Sequence, residues 1–352
     1  MNKKLVAVAV AAGLALPVIS AHAIEVAGKK LEVYGKMHLS IDLSDTDGLV
    51  TTDGLSVSSN SSRLGFKGEL PAGDLKVVYQ IESEVFFDEA GGKLANRNTY
   101  AGLKGSFGKF IVGNYDTPYK TVASKWGVFG DSVAERRSIL GAGYKSGNKL
   151  NIRAENSMMY EMKSKTVNFQ AMYAVDPQAG ANGKVDDSQK NMTSLGLRYK
   201  SGPIWLGAAY ESWKGHANLA DATAMRLGAK YKMGSTQIGV IYETIDSSTV
   251  NEWKRDAYGV NAKFKISKKT DIRAQYLIVG DAKNVADTGA TKLGLGVYHN
   301  LDKKAQLYVA YAATNNDANA KFQAVDGGHG DEVKTVNGGN PSSISVGMIY
   351  KF

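Results

Sequence analysis

Apolar and polar residues alternate with a period of two along most of this chain. From Leu31 to Leu43 one parity reads Leu31, Val33, Gly35, Met37, Leu39, Ile41, Leu43, and the other Glu32, Tyr34, Lys36, His38, Ser40, Asp42. Such alternation describes a long β-strand with one apolar and one polar face. Wound as a helix, the same apolar residues would scatter round every side.

The pattern recurs. Met225, Leu227, Ala229, Tyr231 and Met233 alternate with Arg226, Gly228, Lys230 and Lys232. Tyr258, Val260, Ala262, Phe264 and Ile266 alternate with Gly259, Asn261, Lys263 and Lys265, and Ile272, Ala274, Tyr276 and Ile278 with Asp271, Arg273 and Gln275. Leu293, Leu295 and Val297 continue it, and the last segment runs Ile344, Val346, Met348, Tyr350, Phe352. Less regular segments at 61–70, 75–87, 97–105, 109–115, 151–162, 165–175, 193–201, 203–213, 235–246 and 303–314 bring the total to sixteen. Short connections such as Pro71-Ala72-Gly73-Asp74 and Met233-Gly234-Ser235 take turns with long polar ones at 44–60, 116–150, 176–192, 247–255 and 315–341. One strand with its connection takes about 21 residues, the rhythm of ~10-residue strands joined by turns and loops in alternation.

No segment after the first two dozen residues approaches the ~18 apolar residues of a membrane helix. Sixteen half-apolar strands therefore lack helices or a second sheet to cover them. Lipid covers such faces if the sheet closes on itself and leaves no unpaired edge. The predicted fold is all-β, a sixteen-stranded antiparallel transmembrane β-barrel, wide enough for an aqueous bore where eight strands would fill with side chains. Tyr231, Tyr242, Tyr258, Tyr276 and Tyr350 lie where interfacial aromatic girdles belong. The 39 glycines, 18 tyrosines and only 6 prolines agree with a chain built of strands.

The start of the chain is of another kind. Lys3 and Lys4, the apolar run Leu5 to Ile19 and Ala21-His22-Ala23 have the form of a Sec signal peptide cleaved after Ala23. The expected domains are a signal peptide, 1–23, and a barrel, 24–352. Export to an oxidising compartment suits a chain with no cysteine, which also excludes a disulfide scaffold, a Cys-based metal site and a Cys nucleophile. The whole chain carries 43 Lys and Arg against 34 Asp and Glu. Removing Lys3 and Lys4 leaves a mature charge of +7, and with the inward parity of Arg226, Lys230, Lys232, Lys263, Lys265, Arg273 and Lys292 this predicts weak anion selectivity. Glu32, Asp42, Glu69, Glu84, Glu243 and Asp271 partly offset it.

Catalysis is not expected. The five histidines are His22, His38, His216, His299 and His329, and no Gly-x-Ser-x-Gly, His-Glu-x-x-His or phosphate-binding Gly-Lys-Ser/Thr element occurs. No cofactor, metal or nucleic acid is implied. The glycine-rich 327–330 and 337–340 read as a mobile, external final loop.

Taken in order, several motifs resemble the general porins of Gram-negative bacteria, in the branch common among proteobacteria outside the enteric group. These are Val33-Tyr34-Gly35-Lys36, Ser62-Arg63-Leu64-Gly65-Phe66-Lys67-Gly68, Arg97 before Ala101-Gly102-Leu103-Lys104-Gly105, Gly113-Asn114-Tyr115-Asp116-Thr117-Pro118, Trp126-Gly127-Val128-Phe129-Gly130-Asp131, Arg153 before Asn156-Ser157, and the terminal Tyr350-Lys351-Phe352. The resemblance implies a homotrimer in the outer membrane, contacting lipid and lipopolysaccharide, that passes small hydrophilic solutes and ions by passive diffusion. It implies a third loop folded into the lumen. It also implies delivery by periplasmic chaperones and insertion by the barrel-assembly machinery, which reads Phe352. Lys36, Arg63, Arg97 and Arg153 would form a basic wall at the constriction, with Glu82, Asp131, Glu135 and Asp116 on the acidic side. The chain departs from the pattern in lacking the enteric Pro-Glu-Phe-Gly-Gly-Asp loop, in Asn114 and in a short second loop near Asp88. A substrate-specific channel for phosphate, another anion or a sugar on the same barrel is the alternative.

Overall fold

A computed structural model describes residues 24–25, 29–49, 53–145, 147–148, 150–178, 189–215, 221–248 and 251–352. The expected signal peptide, 1–23, lies outside the described residues.

The alternating segments form sixteen antiparallel strands: β1 Glu32–Asp45, β2 Gly54–Ser59 with Arg63–Ala72, β3 Leu75–Val85, β4 Thr99–Gly105, β5 Gly108–Asp116, β6 Arg153–Lys163, β7 Val167–Val175, β8 Asn191–Ser201, β9 Ile204–Lys214, β10 Ala222–Met233, β11 Thr236–Ser247, β12 Arg255–Lys265, β13 Thr270–Val279, β14 Ala290–Asn300, β15 Ala305–Asn316 and β16 Ser342–Lys351. Each strand pairs with the next, and β16 returns to β1 in the register Lys36↔Lys351 through Asp45↔Ser342, so the sheet has no free edge. At this seam the Gly35 amide donates to the Phe352 carbonyl at 3.0 Å and the Phe352 amide to that of Gly35 at 3.2 Å. A Cβ at Gly35 would stand 2.3 Å from the Phe352 ring, so any side chain there would displace that ring.

The two faces divide as the alternation predicts. On β10 to β12, Leu227, Tyr231, Ile238, Val240, Tyr258 and Val260 are exposed, while Arg226, Glu243 and Asn261 on the opposite parity are buried. This inversion of a soluble protein is stable only where hydrocarbon meets the outside. Tyr199, Tyr231, Phe264 and Tyr350 lie near the turn ends of their strands, and Tyr173, Tyr210, Tyr242 and Tyr258 toward the loop ends, forming two aromatic bands. Val260 sits at the middle of β12 and is 51% exposed. Val260→Arg is expected to lower the stability of the barrel in bilayers by about 2–4 kcal/mol, with Val260→Ile close to neutral. Urea titration of vesicle-folded protein, read by the gel mobility of the intact barrel, measures it.

One expected loop is partly strand. Residues 54–59 lie within the connection predicted at 44–60, yet they continue β2 and pair with β1 from Ser44↔Gly54 to Leu39↔Ser59. Leu55 and Val57 face outward and the serines inward, a short alternation that serine-rich composition obscures. Between Leu39↔Ser59 and Lys36↔Arg63 the second strand carries one residue more than the first, and Ser61 takes φ +50°. This bulge re-aims Arg63 toward the lumen.

Candidate functional site: the lumen constriction

The long third loop, residues 117–152, begins with a helix, α1 Pro118–Trp126. Thr117 caps it, accepting the Lys120 amide at 3.1 Å, and Pro118 occupies the first turn, where a missing N–H costs nothing. Tyr119, Val122, Ala123 and Trp126 fall at helical spacing on one face, each fully buried. They pack on inward-facing glycines of β8 to β12. A Cβ at Gly196 would lie 2.9 Å from Pro118, at Gly207 3.0 Å from Val122, and at Gly239 and Gly259 2.9 and 3.1 Å from Trp126. Part of the glycine excess is thus a seat for this helix. The helix was not predicted within 116–150; the Thr117-Pro118 start and the apolar spacing are the signals that would have found it.

Every barrel residue anchoring the loop belongs to the inward set, which places the loop inside. Glu243 on β11 is the central anchor. It accepts from Tyr119 Oη at 2.9 Å and from the Gly141 amide at 2.8 Å, pairs with Arg255 at 3.2 Å, and pairs with Arg226. Arg226 in turn donates to the Tyr119 carbonyl at 3.0 Å and stacks 3.8 Å over the Tyr119 ring. Further round, Arg273 donates to the Val128 carbonyl at 2.9 Å and Gln275 to that of Ala134 at 3.2 Å. Lys292 holds the Glu135 carbonyl at 2.6 Å and Ser138 Oγ at 2.7 Å.

At the far side the loop reaches β1. Asp131, at φ +54°, accepts from Lys36 Nζ at 2.7 Å and from Arg137 at 2.7 Å. Burial alone would raise the Asp131 carboxyl, but Lys36, Arg137 and Arg63 hold it well below the usual carboxylate range. Glu135 is fully buried and paired with Arg136 and Arg137 at 3.4 and 2.8 Å. Burial lowers Arg136 to about 10, against the attraction of Glu135. Lys120 is likewise lowered by burial, to about 7, against the attraction of Asp116.

The residues singled out from sequence come together, in a different arrangement from basic wall facing acidic loop. Lys36, Arg63, Arg97 and Arg153 share the lumen wall. Glu82 is interleaved with them, 2.8 Å from Arg97 and 3.8 Å from Arg63, and Glu84 adds a contact to Arg97 at 3.1 Å. Asp116 lies between Arg153 at 3.3 Å and Lys120 at 2.6 Å. Glu82 and Asp116 therefore stand inside the basic wall, and the loop opposite brings Lys120, Lys125, Arg136 and Arg137 as well as Asp131 and Glu135. The cavity between loop and wall, about 720 Å³, is lined by eleven Lys and Arg against three carboxylates, Asp116, Asp131 and Glu161. The loop cations were missed because nothing local says where in the bore 117–152 places them, and Arg198, on the inward parity of β8, belongs to none of the motifs singled out.

The final loop is also unlike its expectation as mobile and external. Its residues 320–333 descend into the mouth. Ala320, Phe322, Ala324, Val325 and Val333 are buried, and Lys292 holds the Ala324 carbonyl at 2.7 Å. Ser61 Oγ donates to the Gly328 carbonyl at 2.8 Å, the Gly330 amide to Asn60 at 2.8 Å, and His329 lies 3.3 Å from Asp42. The glycines there give close approach to Arg137 and Ser59, not freedom.

A closed sixteen-stranded barrel, apolar outside, charged within and narrowed by a loop, defines a pore protein of an outer membrane. The chain belongs to the Gram-negative porin family, whose model matches residues 5–319. It is 26% identical to outer membrane porin protein 32 of Delftia acidovorans over an alignment of 362 residues, covering 96% of this chain and 99% of that protein. A 127-residue stretch, 34% of this chain and 35% of its counterpart, is 31% identical to major outer membrane protein P.IB of Neisseria meningitidis. Among solved structures, the anion-selective porin from Comamonas acidovorans superposes with a TM-score of 0.75 at 22% identity, covering 92% of this chain and 99% of that one. The protein is an outer-membrane porin, a channel for passive diffusion of small hydrophilic solutes and ions.

Proposed function

We propose that this porin is anion-preferring, that its constriction is set by Lys36, Arg63, Arg97 and Arg153 with Asp131 fastening the loop to the wall, and that it works as a homotrimer. The carrying observation is the cavity lined by eleven cationic side chains against three carboxylates. In a bore whose walls are of low dielectric, that imbalance raises the local anion concentration and repels cations. Asp116, Glu82 and Glu135 act by fixing the cations in place, and Asp131 does the same for Lys36 and Arg137. The fold likeness to a porin described as anion-selective supports the direction.

The pore has no catalytic residue in this reading. We also assign residues 1–23 to Sec export and Phe352 to the signal read by the barrel-assembly machinery. The backbone pairing of Phe352 with Gly35 gives that residue a second task, closing the seam. Lipopolysaccharide at the rim and chaperones before insertion complete the partners.

Planar-bilayer recording of the purified protein tests the reading. In a KCl gradient the reversal potential should take the sign of chloride preference, and large voltages should close the channel in three equal steps. Cation preference would overturn the selectivity, and single-step closure the trimer.

A further inference from the structure

Charge in the lumen is compensated unevenly. At the constriction each cation has its carboxylate: Lys36 with Asp131, Arg97 with Glu82, Lys120 and Arg153 with Asp116. On its turn side ion pairs continue over β1 to β6, as in Lys104 with Glu69 and Lys109 with Glu161, but stop along the stretch of wall that α1 faces. Lys125, Lys163, Arg198 and Lys200 line the same cavity, and with Lys230 they make no ion pair among the described residues. The nearest carboxylate of the lining, Glu161, is taken by Lys109 at 2.6 Å.

Register sets four of these five along one strip of the wall. Lys163 pairs across Asn168 with Arg198, and Lys200 across Trp205 with Lys230. With strands about 4.8 Å apart and about 6.8 Å between like-facing residues, the four strand positions outline a strip roughly 19 Å by 7 Å, with Arg198 and Lys200 at its middle and Lys163 and Lys230 at its ends. Lys125, at the end of α1, stands over it, since its carbonyl accepts from Lys230 Nζ. Burial and the neighbouring Arg198 and Lys163 lower the Lys125 ammonium from its ordinary value. Lys230 also lies over the Trp205 ring, 5.0 Å from its centroid, which positions the charge without neutralising it. Arg198 donates through one terminal nitrogen to Gln170 at 3.1 Å and to Asn168, neutral acceptors that leave its charge uncompensated.

Lys125, Lys163 and Lys200 are exposed to the bore and stay hydrated, and the five cations together hold a positive potential that a docking anion lowers. We infer that Lys125, Lys163, Arg198, Lys200 and Lys230 form a docking site for small multivalent anions, polycarboxylates or polyphosphates, on the turn side of the constriction. The inference rests on the reading of the lumen as a pore and adds a saturable site to it. A multivalent anion engages several of these cations at once; a monovalent anion does not. The short-turn end receives the anion directly, whereas from the loop end it must first pass the constriction.

Citrate and pyrophosphate, with acetate as control, are added to either side of a bilayer holding the full-length protein, and the same probes are titrated calorimetrically into detergent-solubilised protein. The expected result is reversible block by both multivalent probes, at lower concentration from the turn side, with heat of binding and neither effect from acetate. Block by one probe alone assigns the site to its headgroup. Arg198→Gln with Lys200→Gln should raise the half-blocking concentration and the calorimetric Kd by roughly tenfold or more, and Arg198→Lys should restore part of the loss. A chloride-preferring pore that neither binds nor is blocked by the multivalent probes, or whose block is the same in the double variant, overturns the site and leaves the pore reading standing. Binding without conductance overturns the pore reading instead.

Discussion

Glu243→Gln is expected to release the third loop from the lumen wall and raise both mean conductance and open-channel noise. Glu243 is the shared counter-charge of two buried guanidiniums, Arg226 and Arg255, and it also accepts from Tyr119 and the Gly141 amide. Glutamine keeps the shape and one acceptor oxygen but removes the charge. Two buried cations are then left facing each other, and breaking such a pair typically costs about 3–5 kcal/mol. As 1.4 kcal/mol is tenfold, the equilibrium for unpinning this end of the loop should move by roughly a hundredfold or more. The strands themselves keep their backbone ladders, so barrel stability should change far less than the current does. Single-channel recording checks the first expectation and the unfolding temperature in detergent the second. Unaltered conductance and noise would mean that Arg273, Gln275 and Lys292 suffice to hold the loop.

Replacing Arg63, Arg97 and Arg153 together by glutamine is expected to turn the pore from chloride toward potassium. The change is larger than three charges imply, because these arginines now neutralise Glu82, Glu84 and Asp116. Removing them frees carboxylates into the bore at its narrowest point. A shift of one kT per unit charge in the local potential favours one ion and disfavours the other, so the permeability ratio changes about sevenfold, and lumen potentials amount to several kT. The three-lysine variant keeps the sign of wild type while losing the planar bidentate contacts to the carboxylates. Reversal potentials of the three proteins in one KCl gradient decide the matter. An unchanged ratio in the glutamine variant would move selectivity away from this wall, to the loop cations or to the turn-side patch.

Other features of the molecule show where local sequence stops being informative. The glycines at 196, 207, 239 and 259 look in the sequence like interruptions of the inward parity. In the fold they are the floor on which Pro118, Val122 and Trp126 rest. The final loop reads as a flexible tip because of Gly327-Gly328-His329-Gly330, yet these residues pack against β1, β2 and the third loop. Gly-rich composition is shared by free tips and by close backbone approaches, and only the neighbours distinguish them. The resemblance puts Glu82 on the acidic side of the constriction, but its partners Arg97 and Arg63 come from another loop and strand and set it within the basic wall, which the sequence does not make legible.

The barrel was determined by the amino-acid order itself. Period-two alternation is a local property, each strand needs only its neighbours for hydrogen bonds, and lipid accepts any apolar outer face, so strand number, most connections and the sidedness of the regularly alternating strands follow without knowledge of distant contacts, whereas the bulge at Ser61 that re-aims Arg63 does not. The constriction was decided by tertiary structure alone. Its contacts join residues far apart in the chain, 95 positions for Lys36 and Asp131, 102 for Gly141 and Glu243, 107 for Tyr119 and Arg226. A charge becomes paired or unpaired only when the loop has crossed the bore, and that crossing is set by shape and burial on the far wall, which no period along the chain records.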